Sequence, residues 1–499
     1  MTSAHLRLKR PPTPSRIHRS ARLLDLLPAA LAVIVGAVGM IAYSVGQWRA
    51  MQVPSWDLGI FSELAKAYSR LQAPIVPIKG EGYNLLGDHF HPILILLGPV
   101  WRLWPSPLAL LVLQDLLLAL SAWPLTRLAT RLLGRPVALA LGLFYVLSWG
   151  MQGAVASQFH EIAFAVPLLA WASVAFAEQR WRDCALWVLP LVTVKEDLGL
   201  TVFMAGLAIA LRGRLGAPHQ PAGRGPAWWR NLSTTRLGVL VALVGLLSFL
   251  LTVGVILPSL SPSGTWEYGL SGNGGSTSLI ARLLSSEVKV QTLGMLVGTA
   301  GLIGLASPWM SLVLPTLAWR FLSSNEFYWT WQNWHYNAIL IPIALGALLD
   351  VVARLKAPTQ ADAVPMWRRW LIALGVLMPL AIGLTTARDL PLWELRQSDY
   401  GAASPRAATA ARIMELIPDG ASVETDLGLL AYLVPDHTVY WVGTGDVDTD
   451  YVVIDSHSTA WGGNPPADAA QWATAQSTTG AVYEPVLNTD GYQVARRVH

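Results

Sequence analysis

Apolar runs of about 20 residues recur through the first three quarters of the chain, separated by short segments rich in arginine. A helix of that length crosses a hydrocarbon core of about 30 Å and satisfies its own backbone hydrogen bonds, which lipid cannot do. Of the 499 residues, 53% are hydrophobic and only 13% are charged. Soluble proteins carry about 25% charged residues. The pattern predicts a polytopic α-helical membrane protein with about eleven transmembrane helices.

Arginine placement orients the spans, because positive residues collect on the cytoplasmic side. Residues 1–22 hold six Lys and Arg and no acid, with prolines at 11, 12 and 14. They read as a disordered basic cytoplasmic tail. The first span is expected over 23–46 and retained, because no convincing cleavage site follows it. The loop 47–92 then lies outside. Within it, 57–71 repeats apolar residues every three or four positions and predicts a short interfacial helix. Residues 93–104 are apolar but short, so they either re-enter the membrane or lie along it. Further spans are expected over 108–126, 137–153 and 160–178. Residues 184–211 have basic flanks that both belong inside, so they read as a hairpin of two short helices. Its outer turn is Lys195-Glu196-Asp197. Spans over 237–258, 290–306, 309–322, 338–353 and 370–387 complete the count.

Residues 388–499 differ in character. They hold 6 Lys and Arg against 15 Asp and Glu, while the whole chain is net +4. Basic residues collect in the N-terminal tail and the short inter-helix segments, which describes topology rather than a nucleic-acid footprint. Alternating short pieces and a Pro-Asp-Gly turn at 418–420 predict a small extracytoplasmic α/β domain. The single cysteine, Cys184, excludes an intrachain disulfide.

Acids and imidazoles in so apolar a chain are expensive unless they line water, an ion or a substrate. Asp57, Glu63, Asp88, His89 and His91 fall in the first external loop. His160-Glu161 opens a span from the outside, Lys195, Glu196 and Asp197 occupy an outer turn, and Trp331, His335 and Tyr336 lie in the outer loop 323–337. All are expected on one face. Asp57 can act as a general base or cap its helix. Asp88, His89 and His91, completed by His160, suit a divalent cation such as Mg or Mn, or a loop held by hydrogen bonds. Lys195 can hold a lipid phosphate with Glu196 and Asp197 orienting it, or the triplet is a structural ion-pair network. The aromatic set is either an interfacial belt or a stacking surface for a sugar or isoprenoid.

The segments SWDLGIFSE (55–63), GDHFHPI (87–93), FHEIAFAVPL (159–168) and VKEDLGL (194–200) carry a resemblance to the bacterial membrane family DUF2079. That family is similar in layout to the GT-C glycosyltransferases. The resemblance implies a GT-C-like fold in the plasma membrane and a sugar donor carried on a polyprenyl phosphate. It also places the acidic catalytic residue at Asp57 and a phosphate-facing base at Lys195. The histidine-rich GDHFH run departs from better-known relatives, and no acceptor signature is visible. The resulting expectation is inverting transfer to an envelope glycan, lipid or protein. Asp57, with Glu63 and Glu161, would form the catalytic set, and a cation at Asp88, His89 and His91, or Lys195 and His335, would offset the leaving phosphate. A transporter or flippase, or a non-catalytic envelope assembly protein, are the alternatives. Against transport, the inner half carries few polar residues beyond Asp115 and the orienting arginines.

Overall fold

The computed structural model describes residues 23–215, 231–266, 283, 285–357, 365–444 and 447–499. The expected basic tail lies outside the described residues, as do parts of the loops near 216–230, 267–284 and 358–364.

The helical part begins with α1 (Leu27–Arg49) and α2 (Ser55–Ser69). The segment 92–103 is a 3-10 turn leading into α3 (Leu97–Leu103). The Trp-Pro-Ser-Pro run after it starts α4 (Pro107–Leu120): Ser106 Oγ accepts from the Leu108 amide at 3.3 Å, and Pro107 needs no partner at the first helical position. Then come α5 (Ala122–Leu133), α6 (Arg135–Val146), α7 (Trp149–Ala156), α8 (Ile162–Ala177), α9 (Trp181–Val188) and α10 (Leu198–Arg214). After them run α11 (Thr234–Leu251), α12 (Leu257–Leu260), α13 (Glu287–Thr299), α14 (Leu314–Leu322), α15 (Leu340–Lys356) and α16 (Met366–Thr386).

Among the described residues, six helical stretches are long and apolar enough to cross a membrane: Leu27–Arg49, Pro107–Leu133, Arg135–Ala156, Thr234–Leu260, His335–Lys356 and Met366–Asp389. The expected count of about eleven is therefore corrected. The other five expected spans are short or broken. Helix α8 has 16 residues, about 24 Å long by helix rise. Pro190 and the charged triplet divide 184–211 into α9, a 3-10 turn and α10. A left-handed turn at Gly301 and Leu302 (φ 59° and 58°) ends α13, and 3-10 turns fill most of 303–313.

Helices α10 and α11 meet along a glycine seam. A Cβ on Gly206 would stand 2.2 Å from the Ala242 amide nitrogen, and one on Gly238 would stand 2.3 Å from that of Ala210. Small residues let the two backbones touch, which is how helices gain packing where lipid offers no hydrophobic gradient.

The C-terminal part is an open five-stranded sheet in the order β2-β1-β3-β5-β4. Its strands are β1 (Ser422–Thr425), β2 (Thr438–Trp441), β3 (Tyr451–Asp455), β4 (Tyr483–Thr489) and β5 (Tyr492–Arg497). The first three are parallel, and a β4–β5 hairpin pairs antiparallel with β3. Val423, Val439, Val453 and Val494 share one core with Leu58, Phe61 and Leu64 of α2.

That shared core corrects the expectation of an interfacial helix at 57–71. Helix α2 is buried from Leu58 to Ala67. Two of its polar residues, Glu63 and Lys66, find partners in the sheet domain. Lys66 Nζ donates to the Val434 and His437 carbonyls at 2.6 and 2.7 Å, and Glu63 Oε1 accepts from the Val439 amide at 3.1 Å.

Candidate active site

Four segments far apart in sequence bring their polar residues together at one end of the helical part. They are the start of α2, the turn before α8, the turn before α10 and the turn before α15. Asp57 lies in the first turn of α2, one place after Trp56, whose ring packs edge-on to Trp441 of β2 at 5.0 Å. Its carboxylate Oδ2 lies 3.4 Å from His160 Nε2, with the Asp57 side chain 41% exposed and that of His160 5%. One face of the carboxylate is therefore held and the other is open.

His160 is fixed from several directions. Its amide donates to Gln114 Oε1 at 3.0 Å, its Nδ1 is 3.1 Å from the Gln158 carbonyl, and its ring stacks on His335 with centroids 3.6 Å apart. Both ring nitrogens of His160 face groups that only accept, so both contacts are made together only by the imidazolium. Burial opposes that charge, but the hydrogen bond and charge of Asp57 outweigh it and raise the His160 pKa. The effect is reciprocal: burial favours a protonated Asp57, yet His160 holds the carboxyl below its ordinary range.

Glu161 is buried and accepts from Lys195 Nζ at 2.8 Å. Both act electrostatically on Asp57, which ties the two pairs into one site. Glu196 receives His89 Nδ1 at 2.8 Å and the Phe90 amide at 3.1 Å, fastening the GDHFHP loop to the turn before α10. Asp197 is in the same turn, with Oδ1 buried and without a hydrogen-bond partner.

His335 and Tyr336 close the site. The Tyr336 ring lies 4.0 Å from His335 and packs edge-on against Trp319 and Tyr328, each at 5.3 Å. Trp331 is half-buried against the helical core. Buried Asn337 gathers the loop by donating to the carbonyls of Thr330, Trp331 and Asn333 at 3.1, 3.1 and 2.8 Å. Arg320 holds the same loop through the Tyr328 and Thr330 carbonyls at 2.7 and 3.1 Å.

The expected metal set is not assembled. Asp88 pairs with Lys79 at 3.2 Å, His89 with Glu196, and His160 with Asp57, while His91 is buried against the edge of Phe61. Among the described residues no group of three or more His, Cys, Asp or Glu is arranged to hold a metal ion. The physical reason is competition: each expected ligand already serves a nearer counter-charge or an apolar wall. Glu63, expected in the catalytic set, turns its carboxylate to the sheet rather than to this cluster.

Gln114, Asn337 and Arg320 were not found from sequence. Gln114 carried one signal, an amide beside Asp115 inside an apolar run, but nothing in its spacing pointed to His160. The backbone adds another mark. Gln158 and Trp334, which precede the two stacked histidines, adopt left-handed φ of 70° and 72°. Such conformations persist only where the surroundings enforce them, and they cluster at functional sites.

A broken-helix membrane bundle, one buried ionic cluster at its end and an open sheet packed over that end together make a membrane-protein fold that resembles the GT-C fold. The chain belongs to the family described as "Predicted membrane protein (DUF2079)", whose sequence profile matches residues 48–495. ArnT from Cupriavidus metallidurans, solved bound to undecaprenyl phosphate, is similar over 93% of this chain and 98% of its own, with a TM-score of 0.52 and 13% identity. The arabinofuranosyltransferase AftD from Mycobacteria is similar over 94% of this chain and 41% of its own, with a TM-score of 0.43 and 14% identity. The oligosaccharyltransferase of Archaeoglobus fulgidus in its apo form is similar over 86% of this chain and 69% of its own, with a TM-score of 0.36 and 12% identity. No curated protein matches the sequence significantly.

Proposed function

We propose that this protein is an integral membrane glycosyltransferase. It takes a sugar from a polyprenyl-phosphate donor and passes it to a cell-envelope acceptor on the extracytoplasmic side of the bacterial plasma membrane. The observation that carries the reading is Asp57: a carboxylate open on one side, backed by His160, and placed beside the buried Lys195–Glu161 pair. The shared fold with ArnT, solved with a polyprenyl phosphate, supports the donor class.

In this reading Asp57 takes the proton of an acceptor hydroxyl as the oxygen attacks the anomeric carbon. The bond from that carbon to the phosphate oxygen breaks, and the lipid phosphate leaves with the electron pair. His160 keeps Asp57 ionised and oriented, which makes it a positioning residue. Lys195 uses one donor on Glu161, and its remaining donors face the developing phosphate charge. Tyr336 and His335 form the wall beside it. The domain of residues 388–499 covers the acceptor side through the Trp56–Trp441 contact.

The test uses full-length protein in phospholipid nanodiscs with radiolabelled undecaprenyl-phosphate hexose and pentose and a bacterial cell-envelope fraction as acceptor, reading released undecaprenyl phosphate and label transferred to the fraction. Wild type is expected to release it, and Asp57→Asn to lose at least about 100-fold in rate, the range of general base catalysis. Undiminished release by Asp57→Asn would remove Asp57 from the base role. Failure of the wild type to turn over either donor would reject the donor class.

A further inference from the structure

At the far end of α8 from the candidate site, the structure has a second polar feature that the proposed transfer does not use. It is a cavity of about 180 Å³ lined by Trp123, Pro124, Arg127 and Arg131 of α5, Trp171 and Val174 of α8, and Glu178 and Arg180 in the turn that follows. Glu161 and Glu178 are separated by 17 residues, about 26 Å at helical rise. That nearly equals the hydrocarbon thickness of a bilayer, about 30 Å. The cavity therefore lies near the opposite membrane surface.

Its charges do not cancel. Glu178 is shared between Arg131 and Arg180, and Arg180 also pairs with Asp183. Arg127 has no carboxylate partner among the described residues. It stands over the Trp123 ring at 5.9 Å and is exposed. The neighbouring surface is apolar and open: Leu116, Leu120, Leu186 and Trp187 are all exposed, and the Trp171 and Trp187 rings lie 5.7 Å apart. Tryptophan beside arginine at a membrane surface is the composition of a headgroup level. The volume decides the kind of occupant. It is below the roughly 300–1,000 Å³ of pockets that enclose a whole small ligand. It suits a headgroup whose acyl chains remain outside along α5 and α9.

We infer that this cavity is a binding site for the phosphodiester headgroup of an anionic phospholipid. The phosphate would sit between Arg127 and the Arg131–Glu178–Arg180 cluster, with its glycerol against Trp123 and Trp171. The site is separate from the transfer chemistry and does not depend on the proposed reaction.

Native mass spectrometry of the delipidated full-length protein, titrated with phosphatidylglycerol or phosphatidylcholine, tests the inference. Phosphatidylglycerol is expected to bind more tightly. Arg127→Gln should weaken it about fivefold, the factor for about 1 kcal/mol per surface arginine near anionic lipid. Glu178→Gln removes the only acid in the lining and should strengthen it. That opposite sign separates headgroup recognition from a general loss of structure. Equal binding of the two lipids, or no change in Arg127→Gln, would overturn the inference. Glycerol phosphate added at the same concentration should not displace the lipid; displacement would assign the cavity to a free anion and overturn the lipid assignment.

Discussion

Asp57 and His160 show how two residues with ordinary side chains become a tuned pair through burial. The imidazole is caught between a carbonyl and a carboxylate, so it keeps its proton, and that proton keeps Asp57 ionised. A carboxyl whose folded pKa is depressed stays charged at pH values where a free one begins to protonate. The proposed transfer by the wild type should accordingly hold its rate on acidification into the range where a free aspartate begins to protonate. His160→Gln removes the opposing charge, leaving burial to push Asp57 upward, so the acid midpoint of the rate should rise. A pH–rate profile of both proteins reads this directly. An acid limb that stays in place in His160→Gln would mean that His160 only packs. Asp57, His160 and Lys195 stand out in the sequence because charge is scarce there. Their pairing is not legible, because His160 and Asp57 are 103 residues apart and no local spacing records the contact. The metal expectation went astray for the same reason: Asp88, His89 and His91 are near in sequence, but each side chain is drawn to a different partner.

At the scale of elements, hydropathy locates the long helices well and the short ones poorly. The stretches around α1, α4, α6, α11, α15 and α16 are legible because one uninterrupted apolar run meets one membrane. Helix α8 falls inside its expected range of 160–178 but has only 16 residues, while α9 and α13 are shortened by proline, charge and left-handed turns. Helical periodicity over 57–71 points to an interfacial helix, but α2 is buried between α3 and residues 430–433 of the C-terminal domain, partners that periodicity cannot identify. The α10–α11 seam gives the sharpest test at this level. With a Gly206 Cβ facing the Ala242 amide nitrogen at 2.2 Å, even alanine requires backbone movement. Gly206→Leu should drive the helices apart and lower stability by more than the roughly 1–3 kcal/mol typical of overpacking, since backbone rather than a flexible side chain must yield. Because α10 follows Lys195-Glu196-Asp197 directly, the same change should also reduce transfer. Thermal unfolding in detergent measures the first effect. Gly294, where an added Cβ meets nothing within 4 Å, supplies the control, and Gly294→Ala should melt no lower than the wild type.

Across the whole molecule, the sheet domain and the helical part are joined by buried charge. Glu63 and Lys66 both lie in α2 and both reach the sheet domain, so the helix that presents Asp57 is the one that holds the sheet. Burial raises the Glu63 carboxyl to about 7, against the opposing pull of Lys66 and the Val439 amide. Its pKa in the unfolded chain is the ordinary one, near 4.3. Between those values the folded protein binds a proton that the unfolded chain does not, so stability falls as pH rises through that window and levels off above it. The size is on the order of a few kcal/mol. Lys66 is depressed by burial and acts with the opposite sign, gaining stability as pH climbs toward the ordinary lysine range. Glu63→Gln keeps an acceptor for the Val439 amide and has no charge to bury. It should therefore melt above the wild type at pH 8, and the gap should close at pH 5. Glu63→Ala leaves that amide unsatisfied and should melt below the wild type at pH 5, by about 1–3 kcal/mol in stability, and below Glu63→Gln at both pH values. A constant gap between wild type and Glu63→Gln across pH would show that Glu63 is already ionised and paired.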